Sequence, residues 1–154
     1  GCQDFLYMNQ GGGYFDQRSP ASWVDGTETK GGSVADYDAD GDIDVFFWNW
    51  LDESELFRND TLHQGNWIQF KLIGAVSNRD AIGAVIALTS GGRQQLRRVS
   101  GGDSALSQRD LILTFGLGNQ TSASAEVRWP SGIVPYFPKA SPHACSAIGV
   151  VREP

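Results

Sequence analysis

The chain consists mainly of short runs of β-forming residues, separated by turns of Gly, Asn and Asp. No segment carries a long i, i+3, i+4, i+7 apolar pattern with caps at both ends, so we expect at most one short helical turn. NWIQFKLIG (66–74) and SAEVRW (124–129) alternate with period two, as a strand with one buried face does. The predicted fold class is all-β. The predicted strands cover residues 4–9, 32–37, 44–50, 54–59, 66–74, 84–90, 93–101, 110–117, 123–129 and 148–153.

Charge is divided unevenly along the 154 residues, which suffice for one ordinary domain or for a small domain with part of another. Residues 1–65 contain 13 acids and 3 bases, a net charge of −10, whereas residues 66–154 contain 5 acids and 9 bases, a net charge of +4. The sign changes near NDTLHQGN (59–66), where the strand pattern is interrupted. We therefore predict two units in contact, one over residues 1–62 and one over residues 63–154.

Several classes of partner are disfavoured by composition. The acidic half argues against nucleic acid, and we interpret the Arg-bearing GGRQQLRRVS (91–100) as a solvated strand face. No apolar run approaches the roughly 20 residues of a membrane span. The segment GCQDFLYMNQ (1–10) lacks the pattern of a signal peptide, so we expect any export signal to lie upstream or to have been removed.

The two cysteines, Cys2 and Cys145, lie near opposite ends of the sequence. Chain ends are often close together in a compact domain, so a disulfide between them is geometrically possible. Two separate free thiols are an equally good interpretation, and no CxxC spacing indicates zinc or redox chemistry.

An acidic loop, VADYDADGDIDVFFW (34–48), places five aspartates at alternate positions. Like charges this close repel each other by roughly 1 kcal/mol per pair at 4 Å in water, and by more where solvent is partly excluded. A hard cation that takes several oxygen ligands removes this repulsion. The sequence therefore predicts a calcium site, and its candidate ligands are Asp36, Asp38, Asp40, Asp42 and Asp44.

The spacing assigns a different role to each part of the loop. The first three aspartates occupy positions 1, 3 and 5 and would supply carboxylate oxygens. Gly41 at position 6 permits a backbone conformation that a Cβ disfavours. Asp42 at position 7 would contribute its backbone carbonyl, and Asp44 at position 9 would close the site with a carboxylate.

The loop differs from an EF-hand although both begin with D-x-D-x-D-G. Position 12 of an EF-hand is Glu, whereas here it is Phe47. The loop also continues directly into DVFFWNW (44–50), which is typical of a strand and not of a helix. We interpret the site as a structural calcium site between two strands, with magnesium as the weaker alternative because of its stricter octahedral geometry.

The first half resembles one FG-GAP/VCBS repeat. The matching segments are LYMNQGGGYFDQ (6–17), GGSVADYDADGDIDVFFWNW (31–50) and ELFRND (55–60). In that family the repeats are blades of an extracellular β-propeller and the DxDxDGxxD loop binds calcium. The resemblance therefore implies the same calcium ligands and a secreted, extracellular or periplasmic location.

The second half resembles the ASPIC/UnbV domain, which follows such repeats in the cartilage acidic protein family. The matching segments are NWIQFKLIG (66–74), SNRDAIGAVIAL (77–88), GGRQQLRRVSGGDSALSQ (91–108), FGLG (115–118) and WPSG (129–132). The resemblances together imply one propeller-blade-like calcium hairpin unit packed with a small β-sandwich or barrel-like domain. A closed propeller needs several blades, so the chain is either a piece of a longer protein or packs its single blade on the second domain or on another copy.

Aromatic residues after the loop could serve recognition. Phe46, Trp48 and Trp50 share one side of the predicted strand and could stack on a sugar or a partner; burial of both faces is the favoured interpretation. His63 and His143 lie in loop-like segments without a nucleophile motif, so no catalytic residue is assigned.

The predicted function is a non-catalytic, calcium-stabilised module for adhesion or for recognition of a protein or glycan. The alternatives are an enzyme or enzyme accessory domain acting on carbohydrate, of lyase or hydrolase type, and a self-associating structural fragment. The enzyme alternative predicts a pocket that brings one of the two histidines next to a carboxylate of shifted pKa.

Overall fold

The computed structural model describes residues 4–19, 23, 28–61, 65–102, 105–140 and 148–154. These residues form twelve β-strands and no α-helix, which confirms the all-β prediction. The strands are β1 (Tyr7–Gly11), β2 (Tyr14–Gln17), β3 (Thr29–Ala35), β4 (Asp44–Asn49), β5 (Glu55–Phe57), β6 (Asn66–Ile73), β7 (Val85–Ser90), β8 (Arg93–Arg98), β9 (Leu113–Gly118), β10 (Ala123–Arg128), β11 (Tyr136–Ala140) and β12 (Ile148–Arg152).

The acidic part of the chain contains a hairpin and a small sheet. Strands β1 and β2 pair antiparallel across a glycine-rich turn, and β3, β4 and β5 form a three-stranded antiparallel sheet in that order. Three aromatic rings cluster on one face of this sheet: Trp23 lies 5.0 Å from Phe47 and 5.7 Å from Phe57, measured between ring centroids. The cluster is small, and most other apolar side chains of this part are exposed.

The rest of the chain forms two sheets that share one hydrophobic core. Their strand orders are β12–β6–β9 and β11–β10–β7–β8, and β12 runs parallel to β6. The alternating pattern of β10 buries Ala123, Ala125 and Val127 on one face, as predicted for a half-buried strand. Facing residues from β6, β7 and β9 contribute most of the rest of the core. The sequence predicts either a small β-sandwich or a barrel-like domain. The described sheets pack on each other and stay open, so they do not close into a barrel.

Two strands were not predicted. YFDQ in β2 is fully exposed and has no apolar alternation to reveal it. YFPKA in β11 contains Pro138, which the sheet accommodates because β11 is an edge strand. All ten predicted strands overlap an observed one, with ends that differ by a few residues.

The Arg-bearing strand β8 is the other edge of the four-stranded sheet. Arg93, Arg97 and Arg98 are exposed, and the interpretation of this segment as a solvated strand face stays a prediction. Charged side chains on an edge strand also discourage pairing with a second chain.

Among the described residues, strand pairing stays within residues 7–57 and within residues 66–152. We refer to these parts as the acidic region (residues 4–61) and the core region (residues 65–154). The two regions touch: the Ser33 hydroxyl donates to the carbonyl of Gln108 at 2.7 Å, and the Asp110 N–H donates to the carbonyl of Val34 at 3.4 Å. The contact runs along β3, the strand that leads into the acidic loop.

Candidate metal-binding loop

The acidic loop connects two antiparallel strands, since β3 ends at Ala35 and β4 begins at Asp44. Asp36 organises the turn: its Oδ1 accepts the N–H of Asp40 at 3.0 Å and its Oδ2 accepts the N–H of Gly41 at 2.9 Å. The N–H of Asp42 donates to Asp40 Oδ1 at 2.9 Å. These short-range bonds fold the chain back on itself, as Asp side chains commonly do in turns.

Three of the predicted ligands are brought together. Asp36, Asp38 and Asp40 each present a carboxylate oxygen, and these oxygens all lie within 4.8 Å of one another. Asp38 is exposed, whereas the other two are half-buried. An all-carboxylate set suits a hard cation, and the donor chemistry therefore fits calcium.

Asp44 occupies a different position from the other aspartates. It is only 2% exposed, and its carboxylate accepts the N–H of Tyr37 at 3.0 Å and the N–H of Asn59 at 2.8 Å. It therefore joins the loop to the segment after β5. Neither Asp44 nor the half-buried Asp42 belongs to the three-carboxylate group, and their roles as ligands stay predictions.

The loop rests on strand β6 of the core region through two side chains that the sequence patterns do not single out. Gln69 is 4% exposed, and its Nε2 donates to Asp36 Oδ2 at 2.7 Å and to the Thr114 hydroxyl at 3.0 Å. Trp67 lies against Gly41, where a Cβ would collide with the indole nitrogen. Gly41 also has a φ of +99°, so both the backbone and the packing require glycine there.

Gln69 sits at a polar position of the alternating run 66–74, where the pattern alone predicts an exposed side chain. It is buried because the acidic loop covers that face of β6. A polar residue in an alternating strand is equally compatible with a solvated side chain and with one that another part of the chain covers. The sequence pattern therefore does not predict the burial of Gln69.

A cavity of about 130 Å³ lies beside the loop where the two regions meet. Its lining includes Asp36 from the acidic region and Arg97, Arg109 and Asp110 from the core region. Charges of both signs therefore face this junction.

The aromatic strand exposes part of one face. Phe46 is 40% exposed and Trp50 is 52% exposed, so the favoured interpretation that both faces are buried is wrong for these two residues. The opposite face of the strand packs on the Trp23 cluster through Phe47, whereas Phe46 stays partly open to solvent. A cleft of about 350 Å³ between β3, β4 and residues 106–108 is lined by Phe46, Trp48 and Leu106.

A second carboxylate that the sequence patterns do not reveal lies at the C-terminal end. Glu153 is 4% exposed and accepts the N–H groups of Ala75, Val76 and Ser77 at 2.7–2.8 Å, together with the hydroxyls of Ser77 and Ser131. Burial alone raises the pKa of Glu153, but the bonds from Ser131, Ser77 and Ala75 outweigh it and lower the pKa to about 2. This carboxylate ties the end of the chain to the 75–77 turn.

Four residues of the predictions lie outside the described part of the chain: Cys2, Cys145, His63 and His143. The disulfide and the histidine-containing pocket therefore stay predictions. In the described part of the chain, no helix has the length and apolar character needed to cross a membrane.

Comparison with known proteins identifies a family model and several relatives. Residues 74–143 match the family model described as ASPIC and UnbV. The chain is 30% identical over 111 residues to cartilage acidic protein 1 of Mus musculus, which covers 66% of this chain and 16% of the mouse protein. It is 31% identical over 121 residues to the Xenopus tropicalis protein of the same name, covering 73% and 18%.

The human protein of that name shows 30% identity over 111 residues, covering 66% of this chain and 16% of that protein. The chain thus spans between 16% and 18% of the length of these relatives. The resemblance of the second half to the ASPIC/UnbV family is confirmed, and the resemblance of the first half to an FG-GAP/VCBS repeat stays a prediction.

Proposed function

We propose that the acidic loop binds calcium and that the chain is a non-catalytic β module for adhesion or for recognition of a protein or glycan. The observation that carries the proposal is the group formed by Asp36, Asp38 and Asp40, whose carboxylate oxygens lie within 4.8 Å of one another. Three negative charges at this spacing oppose the folded loop unless a cation compensates them.

The proposed ligands are these three carboxylates, joined by the backbone carbonyl of Asp42 and the carboxylate of Asp44. Calcium accepts six to eight oxygen ligands in flexible geometry, so a loop that offers both side-chain and backbone oxygens suits it. The bound ion would supply charge compensation and cross-linking of the loop. Its effect is structural, since it would hold β3 and β4 in register next to the core region.

A secreted location and a propeller-blade role for the acidic region belong to the same proposal. The name of the vertebrate relatives refers to cartilage, which supports an extracellular setting. Extracellular calcium sites commonly have dissociation constants of about 10⁻⁴ to 10⁻³ M, and a loop with exposed ligands such as Asp38 suits that range.

The exposed aromatic face supports the recognition part of the proposal. Phe46 and Leu56 are cross-strand neighbours, 40% and 54% exposed, and Trp48 lines the adjacent cleft. Exposed aromatic side chains offer both apolar area and flat faces, which suit a sugar ring or an apolar side chain of a partner protein.

Thermal denaturation tests the calcium part directly. We expect a higher Tm in millimolar calcium than in EGTA, because calcium at 100 times its Kd adds about 2.7 kcal/mol to the free energy of unfolding. Magnesium at the same concentration is the matched control and should stabilise less. Equal Tm values in calcium and EGTA would contradict the proposal.

A glycan array tests the recognition part. The wild-type chain in calcium should bind a subset of glycans, and Phe46→Ala should weaken that binding because it removes stacking area. Leu96→Ala is the matched control, since Leu96 is equally apolar and 64% exposed on β8. If the two variants bind alike, the aromatic face has no part in glycan recognition.

A further inference from the structure

The contact between the acidic loop and strand β6 fixes the orientation of a loop carboxylate. Gln69 donates one amide hydrogen to Asp36 Oδ2 at 2.7 Å and the other to Thr114 Oγ1 at 3.0 Å. Both partners fix the orientation of the amide, and its burial keeps water from competing for either bond.

The donor that holds Asp36 is neutral. A Lys or Arg in this place would compensate the charge of the carboxylate and compete with a cation for it. An amide instead orients the carboxylate and adds no positive charge next to it. Outer-shell donors that orient ligand carboxylates act in this way in metal sites generally.

The second contact fixes the backbone of the loop. Trp67 covers Gly41, the residue whose φ of +99° turns the chain between Asp40 and Asp42. Gln69 and Trp67 are two residues apart on β6, so their side chains project from the same face of the strand, the face that the loop covers. Strand β6 in turn is paired with β9 and β12, so the platform beneath the loop is part of the core region.

We infer that Gln69 and Trp67 are positioning residues that let the core region set the geometry of the calcium loop. The effect of these two residues on cation affinity rests on the proposed calcium site. By linkage, a contact that strengthens cation binding is itself strengthened by the cation to the same degree. Calcium would then tighten the docking of the acidic region on the core region.

Terbium luminescence tests the inference, because Tb³⁺ substitutes for calcium and emits when a nearby indole transfers energy to it. Gln69→Met preserves the length of the side chain and removes the donor, and we expect it to weaken Tb³⁺ binding by about 10-fold or more. Gln95→Met is the matched control: it removes a Gln donor that bonds the carbonyl of Gly116 at 2.7 Å, away from the loop. It should leave the affinity unchanged.

The position of Trp67 gives an independent spectroscopic readout. Trp67→Phe should abolish most of the sensitised emission, whereas Trp50→Phe, which alters an indole that is 52% exposed, should retain it. Equal emission from these two variants, or equal Tb³⁺ affinity of Gln69→Met and Gln95→Met, would overturn the inference. If Gln69→Met does not fold, Gln69→Asn repeats the affinity test, because it keeps a neutral amide but places the donor one methylene too short to reach Asp36.

A wild-type chain that binds no Tb³⁺ and no calcium would overturn the proposed function instead. Amide hydrogen exchange in EDTA then tests the claim that Gln69 positions the loop, because this claim does not require a bound ion. Faster exchange of residues 36–44 in Gln69→Met than in Gln95→Met would support positioning of the loop by β6, and equal exchange would contradict it.

Discussion

The acidic region and the core region are stabilised by different physical effects. The core region buries a continuous apolar cluster contributed by β6, β7, β9 and β10, and its most buried large side chains include Phe115 and Ile86. The acidic region buries Trp23 and the polar residues Asp44 and Asn49, and it leaves many large apolar side chains exposed. The comparison indicates that the core region is held by packing, whereas the acidic region depends on its loop and on its neighbour.

The largest loss of stability is expected from a substitution in the core region. Phe115→Ala removes a ring that is 0% exposed and packs on Phe70 at a centroid distance of 5.9 Å. It should lower the free energy of unfolding by about 3–5 kcal/mol, measured by urea denaturation. Phe46→Ala in the acidic region is the control and should cost about 1 kcal/mol or less. Similar losses in the two variants would remove the contrast between the regions.

The next largest change is expected in the calcium-dependent stability conferred by the acidic loop. Asp38 is exposed, so Asp38→Asn removes charge with little change in packing. In calcium, this variant should lose most of the cation-dependent stabilisation, which is about 2.7 kcal/mol at 100 times the Kd. In EGTA it should be as stable as the wild type or slightly more stable, because repulsion decreases.

Calorimetry of the two chains in both conditions checks this prediction. Asp80→Asn, which changes an exposed acid of the core region, should respond to calcium as the wild type does. A calcium response that Asp38→Asn retains in full would contradict a ligand role for Asp38.

The strands of both regions are more predictable from the sequence than the contacts between the regions. Period-two alternation and turn residues follow from local backbone geometry, so the residue pattern alone is enough to locate β6 and β10. The aspartate spacing likewise predicts the loop and the three carboxylates that come together.

The remaining features depend on contacts between residues far apart in the chain. Gln69 meets Asp36 across 33 positions, and Glu153 meets Ser77 across 76. Asp44 has the spacing of a ligand, yet its carboxylate bonds two backbone N–H groups. Local patterns contain no information on which polar residue another part of the chain will cover.

A smaller, pH-dependent effect is expected at Glu153. Its folded pKa of about 2 lies below the ordinary value of 4.5, so its stabilisation is fully present above pH 4.5 and is lost as the pH falls towards 2. The difference in unfolding free energy between wild type and Glu153→Gln should therefore shrink over this interval. Urea denaturation at pH 2–7 measures it.

Glu126→Gln is the matched control for that series. Glu126 pairs with Arg128 at the surface, where its side chain is 36% exposed, so its substitution should have little effect at any pH. A Glu153→Gln difference that stays constant from pH 7 to pH 2 would contradict the role assigned to the buried carboxylate.

The smallest effect is expected from surface charge in the core region. Arg128→Ala breaks an ion pair whose Arg side chain is 63% exposed, and it should change the free energy of unfolding by less than about 0.5 kcal/mol. Urea denaturation at low and high salt checks this. A larger loss would show that charge also stabilises the packed region.

Isothermal titration of calcium into the intact chain tests the central claim most directly. We expect one ion bound per chain by the wild type, and no binding by a chain that carries Asp36→Asn, Asp38→Asn and Asp40→Asn together. Absence of binding by the wild type, or unchanged binding by the triple variant, would contradict the account.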